Sequence, residues 1–197
     1  TEDSIVIKNG NATIHSTGAL FEHYIESETL NSLYNNKDIQ TITVKHSNDT
    51  QIVLDKATLK KRLSNQPLAI NVQTVSIGQT KEIFVSLTGK DELTMPITLQ
   101  VPSTLWSKGY LLGKTDEGFE AVPHFEENGI LTAQISSNKA YTYTNKEVTF
   151  KDTVSLSNND EILYLANRYV IQGSNGLYNP QNPITRAQFA AMIARAL

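Results

Sequence analysis

Arg186 stands where its charge can do chemistry. In the stretch NPITRAQFAAMIARAL, Thr185 and Gln188 have the T-x-x-Q spacing of a capping box. The hydroxyl then accepts from the third helical N–H, and the amide returns to the cap. Arg186 becomes the first helical residue, a cation beside several unpaired backbone donors at the positive end of the helix dipole. That placement costs a few tenths of a kcal/mol if the charge is merely solvated. Guanidinium and helix terminus together favour a carboxylate or phosphate, so the alternative is an anion site.

No other group of residues forms a reactive pattern. His15, His23, His46 and His124 lack metal-ligand spacing, and the chain has no G-x-S-x-G and no glycine-rich phosphate loop after a strand. Asp116-Glu117 and Glu126-Glu127 sit beside turn signals and read as solvated loop charges, because a glycosidase pair comes from separate elements. An enzyme is therefore not expected, and no catalytic residue or metal ligand is assigned. Trp106, Tyr110, Phe119, Tyr141 and Tyr143 form a sugar-binding face or pack in a core, and packing is the reading for most of them. With a net charge of −3 and no basic run, nucleic acid is not the expected partner. Without cysteine, there are neither disulfides nor thiolate metal sites. No run reaches the roughly 18 apolar residues of a membrane span, and TEDSIVIKNG has no signal-peptide pattern, as expected of a piece of a longer protein.

The elements that must hold Arg186 change character near residue 147. Before it, apolar residues alternate. Ile5 and Ile7, then Ala12 and Ile14, flank Asn9-Gly10, a hairpin signal. Ile42 and Val44, then Ile52 and Leu54, flank HSNDT. Three more period-2 runs are Leu68/Ile70/Val72, Ile83/Val85/Leu87 and Ile97/Leu99/Val101, and a meander over YLLGK, FEAVPHF and ILTAQI follows. Two short helices interrupt the strands, one capped by Ser27 with Leu30, Leu33 and Tyr34 inward, the other by Asp55 with Leu59 and Leu63 inward. The expected fold is mostly β, a sandwich or open barrel with two helical insertions, over residues 1–146. Charge type shifts too: twelve lysines and only Arg62 precede residue 147, whereas Arg168, Arg186 and Arg195 accompany only Lys151 after it.

Residues 147–197 read as helix, loop, helix. Ile162, Leu165, Ala166, Tyr169 and Val170 line one helix that Gly173 ends. Phe189, Met192, Ile193 and Leu197 line the second, with Ile184 and Phe189 as a hydrophobic staple. These 51 residues are too few to bury both stripes alone, so Leu165, Tyr169, Phe189 and Ile193 pack on the β domain, self-associate into a bundle or stay partly disordered, and self-association is the expected outcome.

FKDT, ILYLANRYVIQG and LYNPQNPITRAQFAAMIARAL together resemble one S-layer homology motif, whose pattern runs F-x-D, helix, G, F-x-P, then I-T-R-A-E-F-A. The likeness covers about 48 residues, and residues 1–146, notably VLDKATLKKRL, resemble the β domains that precede such motifs in Gram-positive surface proteins. It implies a secreted cell-wall or S-layer protein that binds pyruvylated secondary cell-wall polysaccharide non-covalently, without cofactor or membrane insertion. It also implies that Arg186 holds the ketal carboxylate and that Asp152 and Gly173 border the grooves between motifs. Their structural alternatives are a turn cap for Asp152 and a left-handed helix end for Gly173. The chain departs from the pattern in three places. Ser157 or Asn158 stands where many members have Trp, Tyr169 where glycine is common, and Gln188 where Glu is usual. The β domain is then a structural spacer or, alternatively, an adhesin or carbohydrate-binding module tethered by the motif.

Overall fold

The computed structural model describes residues 4–105 and 108–196, so Trp106 and Leu197 lie outside the described residues. Among the described residues, thirteen strands form two sheets. The first has the order β1-β2-β4-β5-β8-β12-β11 (Ile5–Lys8, Asn11–Ser16, Thr41–His46, Gln51–Asp55, Pro96–Pro102, Ile130–Ser136, His124–Glu127). The second has the order β10-β9-β13-β7-β6-β3 (Gly118–Ala121, Tyr110–Thr115, Ala140–Thr144, Thr80–Thr88, Leu68–Ile77, Phe21–Ile25). Inward side chains of both sheets, among them Ile14, Leu54, Leu99, Leu87 and Leu111, join one buried cluster. Period-2 alternation produces this, because successive side chains of a strand point to opposite faces.

Local signals act as the sequence predicts at most turns. Lys8 pairs with Asn11 around Asn9 and Gly10, which take φ of 50° and 79°, the left-handed values that a two-residue hairpin turn needs. Asn128-Gly129 repeats the device between β11 and β12. β2 runs parallel to β4, which is possible because β3 and α1 (Ser27–Asn35) make the crossover between them. The expected meander is corrected at Val122-Pro123. β10 stays with β9 in one sheet while β11 pairs with β12 in the other, so the chain changes sheets there.

Both inserted helices bury the expected residues, Leu30, Leu33 and Tyr34 in α1 and Leu59 in α2 (Lys56–Arg62). Asp55 caps α2, its Oδ1 accepting from Thr58 N–H at 2.7 Å. Ser27 does not cap α1: it is the first helical residue, the cap position falls on Glu26, and no side chain bonds there.

The helical part has its own small core of Phe150, Ile162, Ala166, Val170 and Ile171, with Ala121 of β10 packed against it. α3 (Asn159–Asn167) is shorter than the apolar stripe suggests. Tyr169 takes φ of 60°, Tyr169 N–H donates to Ala166 O and Val170 N–H to Leu165 O, both at 3.0 Å. These are the two bonds of a Schellman ending. Tyr169, not Gly173, therefore ends the helix. A left-handed tyrosine costs about 1–2 kcal/mol against glycine, and its edge-to-face contact with Phe119 at 5.8 Å returns about 0.5–1.5 kcal/mol. Tyr169→Gly should thus change stability by less than about 1 kcal/mol. In a Phe119→Ala background it should stabilise by about 1 kcal/mol, as read by chemical denaturation.

Candidate functional site

The helical part is organised around the turn at Phe150–Thr153. Thr153, fully buried, donates from Oγ1 to Phe150 O at 3.3 Å, and the Phe150 ring lies 5.7 Å from that of Tyr178. Asp152 reaches across to the long loop: Oδ1 accepts from Tyr178 N–H at 2.9 Å and Oδ2 from Asn179 N–H at 2.7 Å. The Tyr178 bond first, joined by the one from Asn179, holds its carboxyl below the usual carboxylate range. Asp152 therefore stabilises this loop in its charged form. Its folded value is lowered, so the contribution is complete above the ordinary carboxylate pKa and is lost as pH falls through the folded value. The helical part should accordingly unfold at lower temperature as pH falls below the ordinary carboxylate range. Asp152→Asn should lower stability at neutral pH and flatten that acid limb.

Gly173 is a point of close approach. Its φ lies outside the left-handed region, and a Cβ built on it would stand 2.4 Å from both Phe150 Cε1 and Leu177 O. The facing strip Ser174–Leu177 is closed by a bridge with Asn175 and Gly176 at positive φ. Gly173 is thus not the left-handed helix end that was the structural alternative.

α4 (Arg186–Ala196) begins as the capping box requires. Thr185 N–H donates to Gln188 Oε1 at 2.8 Å, and Gln188 N–H donates to Thr185 Oγ1 at 3.1 Å. Arg186 is exposed at the first helical position, and among the described residues no ion pair or hydrogen bond engages its side chain. Its free guanidinium and the exposed helix terminus thus share one patch of surface. The staple residues do not find cover. Ile184 and Phe189 remain 56% and 54% exposed, and Ile193 is 47% exposed, while Met192 alone packs partly on the small core.

A cleft of about 500 Å³ lies between the 171–174 segment, the loop and α4. It brings together Gly173, Ser174, Asn182, Gln188 and Arg195, and its wall includes Tyr178 and Asn179, the residues that Asp152 pins. Arg186 does not line it. Of the expected site residues, then, the structure places Gly173 in the cleft, Asp152 behind its wall and Arg186 outside it. Arg195 is a cleft residue that the sequence reading passed over. Its spacing of seven from the capping Gln188 puts the two on one helical face, which is a legible signal.

The joint with the β sheets contains two further residues not singled out from sequence. Asn167, nearly buried, accepts from Val148 N–H at 2.6 Å and donates to Tyr110 Oη at 3.5 Å. The Arg168 guanidinium lies 3.9 Å from the Tyr164 ring centre and 5.2 Å from that of Tyr110.

Residues 149–190 match the family model of the S-layer homology domain. This segment is similar to the S-layer homology domain. Such a domain is a cell-wall anchoring module and not a catalytic one. The match runs from the residue before Phe150 into α4 and so includes Asp152, Gly173, the capping box and Arg186. Comparison with curated proteins and with solved structures gave no match. No helix among the described residues is long and apolar enough to cross a membrane.

Proposed function

We propose that the chain is part of a secreted bacterial surface or S-layer protein held non-covalently on pyruvylated secondary cell-wall polysaccharide. The observation that carries this reading is the family match over residues 149–190. Residues 1–146 act as a structural spacer and residues 147–197 as one anchoring motif, a division supported by their separate buried clusters. Arg186 at the α4 terminus meets the ketal carboxylate, and Gly173 and the Asp152-pinned loop shape the adjoining groove. The exposed Phe189 and Ile193 support completion of the bundle by like motifs or by self-association.

The spacer reading is favoured over an adhesin face by where the aromatic residues lie. Tyr141 and Tyr143 are buried, and the exposed Tyr24, Phe119 and Phe125 lie on three separate edge strands, β3 and β10 of one sheet and β11 of the other. No aromatic strip runs across either sheet among the described residues. The test is co-sedimentation of a version carrying three consecutive motifs with purified Gram-positive cell wall before and after mild acid removal of pyruvate. Binding to intact wall and its loss from treated wall is the expected result. Equal binding to both would refute the ketal, and binding to neither would refute anchoring by this motif.

A further inference from the structure

The seam between the β sheets and the helical motif contains a second cleft, of about 330 Å³. Its floor is the sheet-changing segment Val122–His124 together with β12, and its far side is α3 and the end of α4. Two arginines line it, Arg168 from α3's end and Arg195 from α4. Neither has a carboxylate partner among the described residues, although the protein carries more acidic than basic side chains. Arg168 is partly buried. Its guanidinium is covered by the Tyr164 and Tyr110 rings, and no hydrogen bond among the described residues occupies its N–H edge. A guanidinium with shielded faces and five unengaged donors is arranged for an anion that accepts in its plane.

The remaining lining defines what carries the anion. Phe125, 56% exposed, gives an apolar wall; Thr132 Oγ1 accepts from Gln100 Nε2 at 3.5 Å and Gln134 Nε2 donates to Thr98 Oγ1 at 2.9 Å, so these two leave the Thr132 hydroxyl proton and Gln134 Oε1 for a ligand. His124 is not a ligand group: Nδ1–H donates to Val122 O at 2.8 Å, Nε2 accepts from Leu111 N–H at 3.4 Å, and burial lowers its pKa, so it stays neutral and fixes the floor. The volume is at the small end of the roughly 300–1,000 Å³ range of ligand sites, which suits one ring. Arg195 also lines the cleft inside the motif, so the two clefts adjoin at this residue.

We propose that the seam cleft binds a carboxylate-bearing sugar ring, its carboxylate between Arg168 and Arg195 and its apolar face on Phe125. The choice of a sugar as carrier rests on the wall-anchoring reading; the carboxylate site between the two arginines does not. On this arrangement the β unit is part of the binding surface, and one polymer spans both clefts across Arg195.

The experiment is titration of the isotope-labelled protein with sodium glucuronate, with glucose and inorganic phosphate as parallel arms, following the amide signals of Phe125, Thr132 and Leu165. Saturable shifts with glucuronate, none with glucose and clearly weaker ones with phosphate are expected. Arg195→Gln should weaken glucuronate binding about tenfold, the lower bound for a lost charged hydrogen bond. Arg168→Gln should do the same, and because Arg195 is exposed on the last turn of α4, its variant keeps the test valid if the Arg168 variant unfolds. Absence of saturable shifts, equal shifts with glucose or phosphate, or an unchanged affinity in Arg195→Gln would each overturn the proposal. A protein that sediments with wall but fails this titration refutes only the seam site. One that passes the titration but ignores wall refutes only the anchoring reading.

Discussion

Gly173→Ala is expected to destabilise the S-layer homology motif by about 3 kcal/mol, at the upper end of what overpacking a close-packed site costs. The added methyl would meet Phe150 Cε1 and Leu177 O, each 2.4 Å away. Neither neighbour yields easily. Phe150 is buried at the centre of the small core, and Leu177 O accepts from Ser174 N–H at 2.8 Å within a tight bridge. A core this small has little else to redistribute the strain. Chemical denaturation followed by amide signals from α3 should show the loss there first, with the β sheets nearly unaffected. The mechanism predicts coupling: Phe150→Leu should recover part of the loss, so the double variant should be less destabilised than the sum of the single ones. An effect below about 1 kcal/mol, or strict additivity, would mean that the approach of Gly173 to Phe150 is not what requires a glycine.

Much of this arrangement is legible in sequence wherever one local interaction decides the outcome. The Asn-Gly hairpins, the Asp55 cap and the Thr185–Gln188 box all behave as their spacing predicts, because each is closed by bonds within a few residues. The alternation in β1 is equally correct as a strand signal, yet Ile5 and Ile7 remain exposed although they sit opposite buried Ile14 and Ala12. Period 2 identifies a face but not whether a second sheet lies over it, and here seven strands face six. The end of α3 fails for a different reason. Apolar periodicity continues through Tyr169 and Val170, whereas the left-handed tyrosine is held by its Schellman bonds and by tertiary packing against Phe119. The seam is the least legible part. Arg168 and Asn167 look like ordinary helical residues until Tyr110, far earlier in the chain, is brought against them. A lone arginine or asparagine has no period and no motif, so its role depends on contacts that exist only in the fold.

Arg186→Ala should weaken binding to pyruvylated wall polysaccharide by about 1.5–3 kcal/mol, the worth of a hydrogen bond to a charged group. It should also leave the unliganded protein within about 0.5 kcal/mol of its original stability. The second half follows from geometry. Arg186 is exposed, engages no acidic side chain among the described residues and lies at the positive end of α4, so its removal takes away a repulsion and no contact. The capping bonds of Thr185 and Gln188 do not involve its side chain and remain. The first half depends on the other wall of the groove. Arg186 does not line the cleft inside its own motif, so on the anchoring proposal a neighbouring motif completes the site, and the measurement belongs on a version with three consecutive motifs. Salt provides a further check. An exposed guanidinium is screened over about 8 Å at physiological ionic strength, so affinity should fall with added salt, and fall less steeply in Arg186→Ala. If the substitution instead destabilises the fold by more than about 1 kcal/mol while wall affinity and its salt dependence are unchanged, Arg186 is a packing residue. The α4 terminus would then not be where the motif meets its anion.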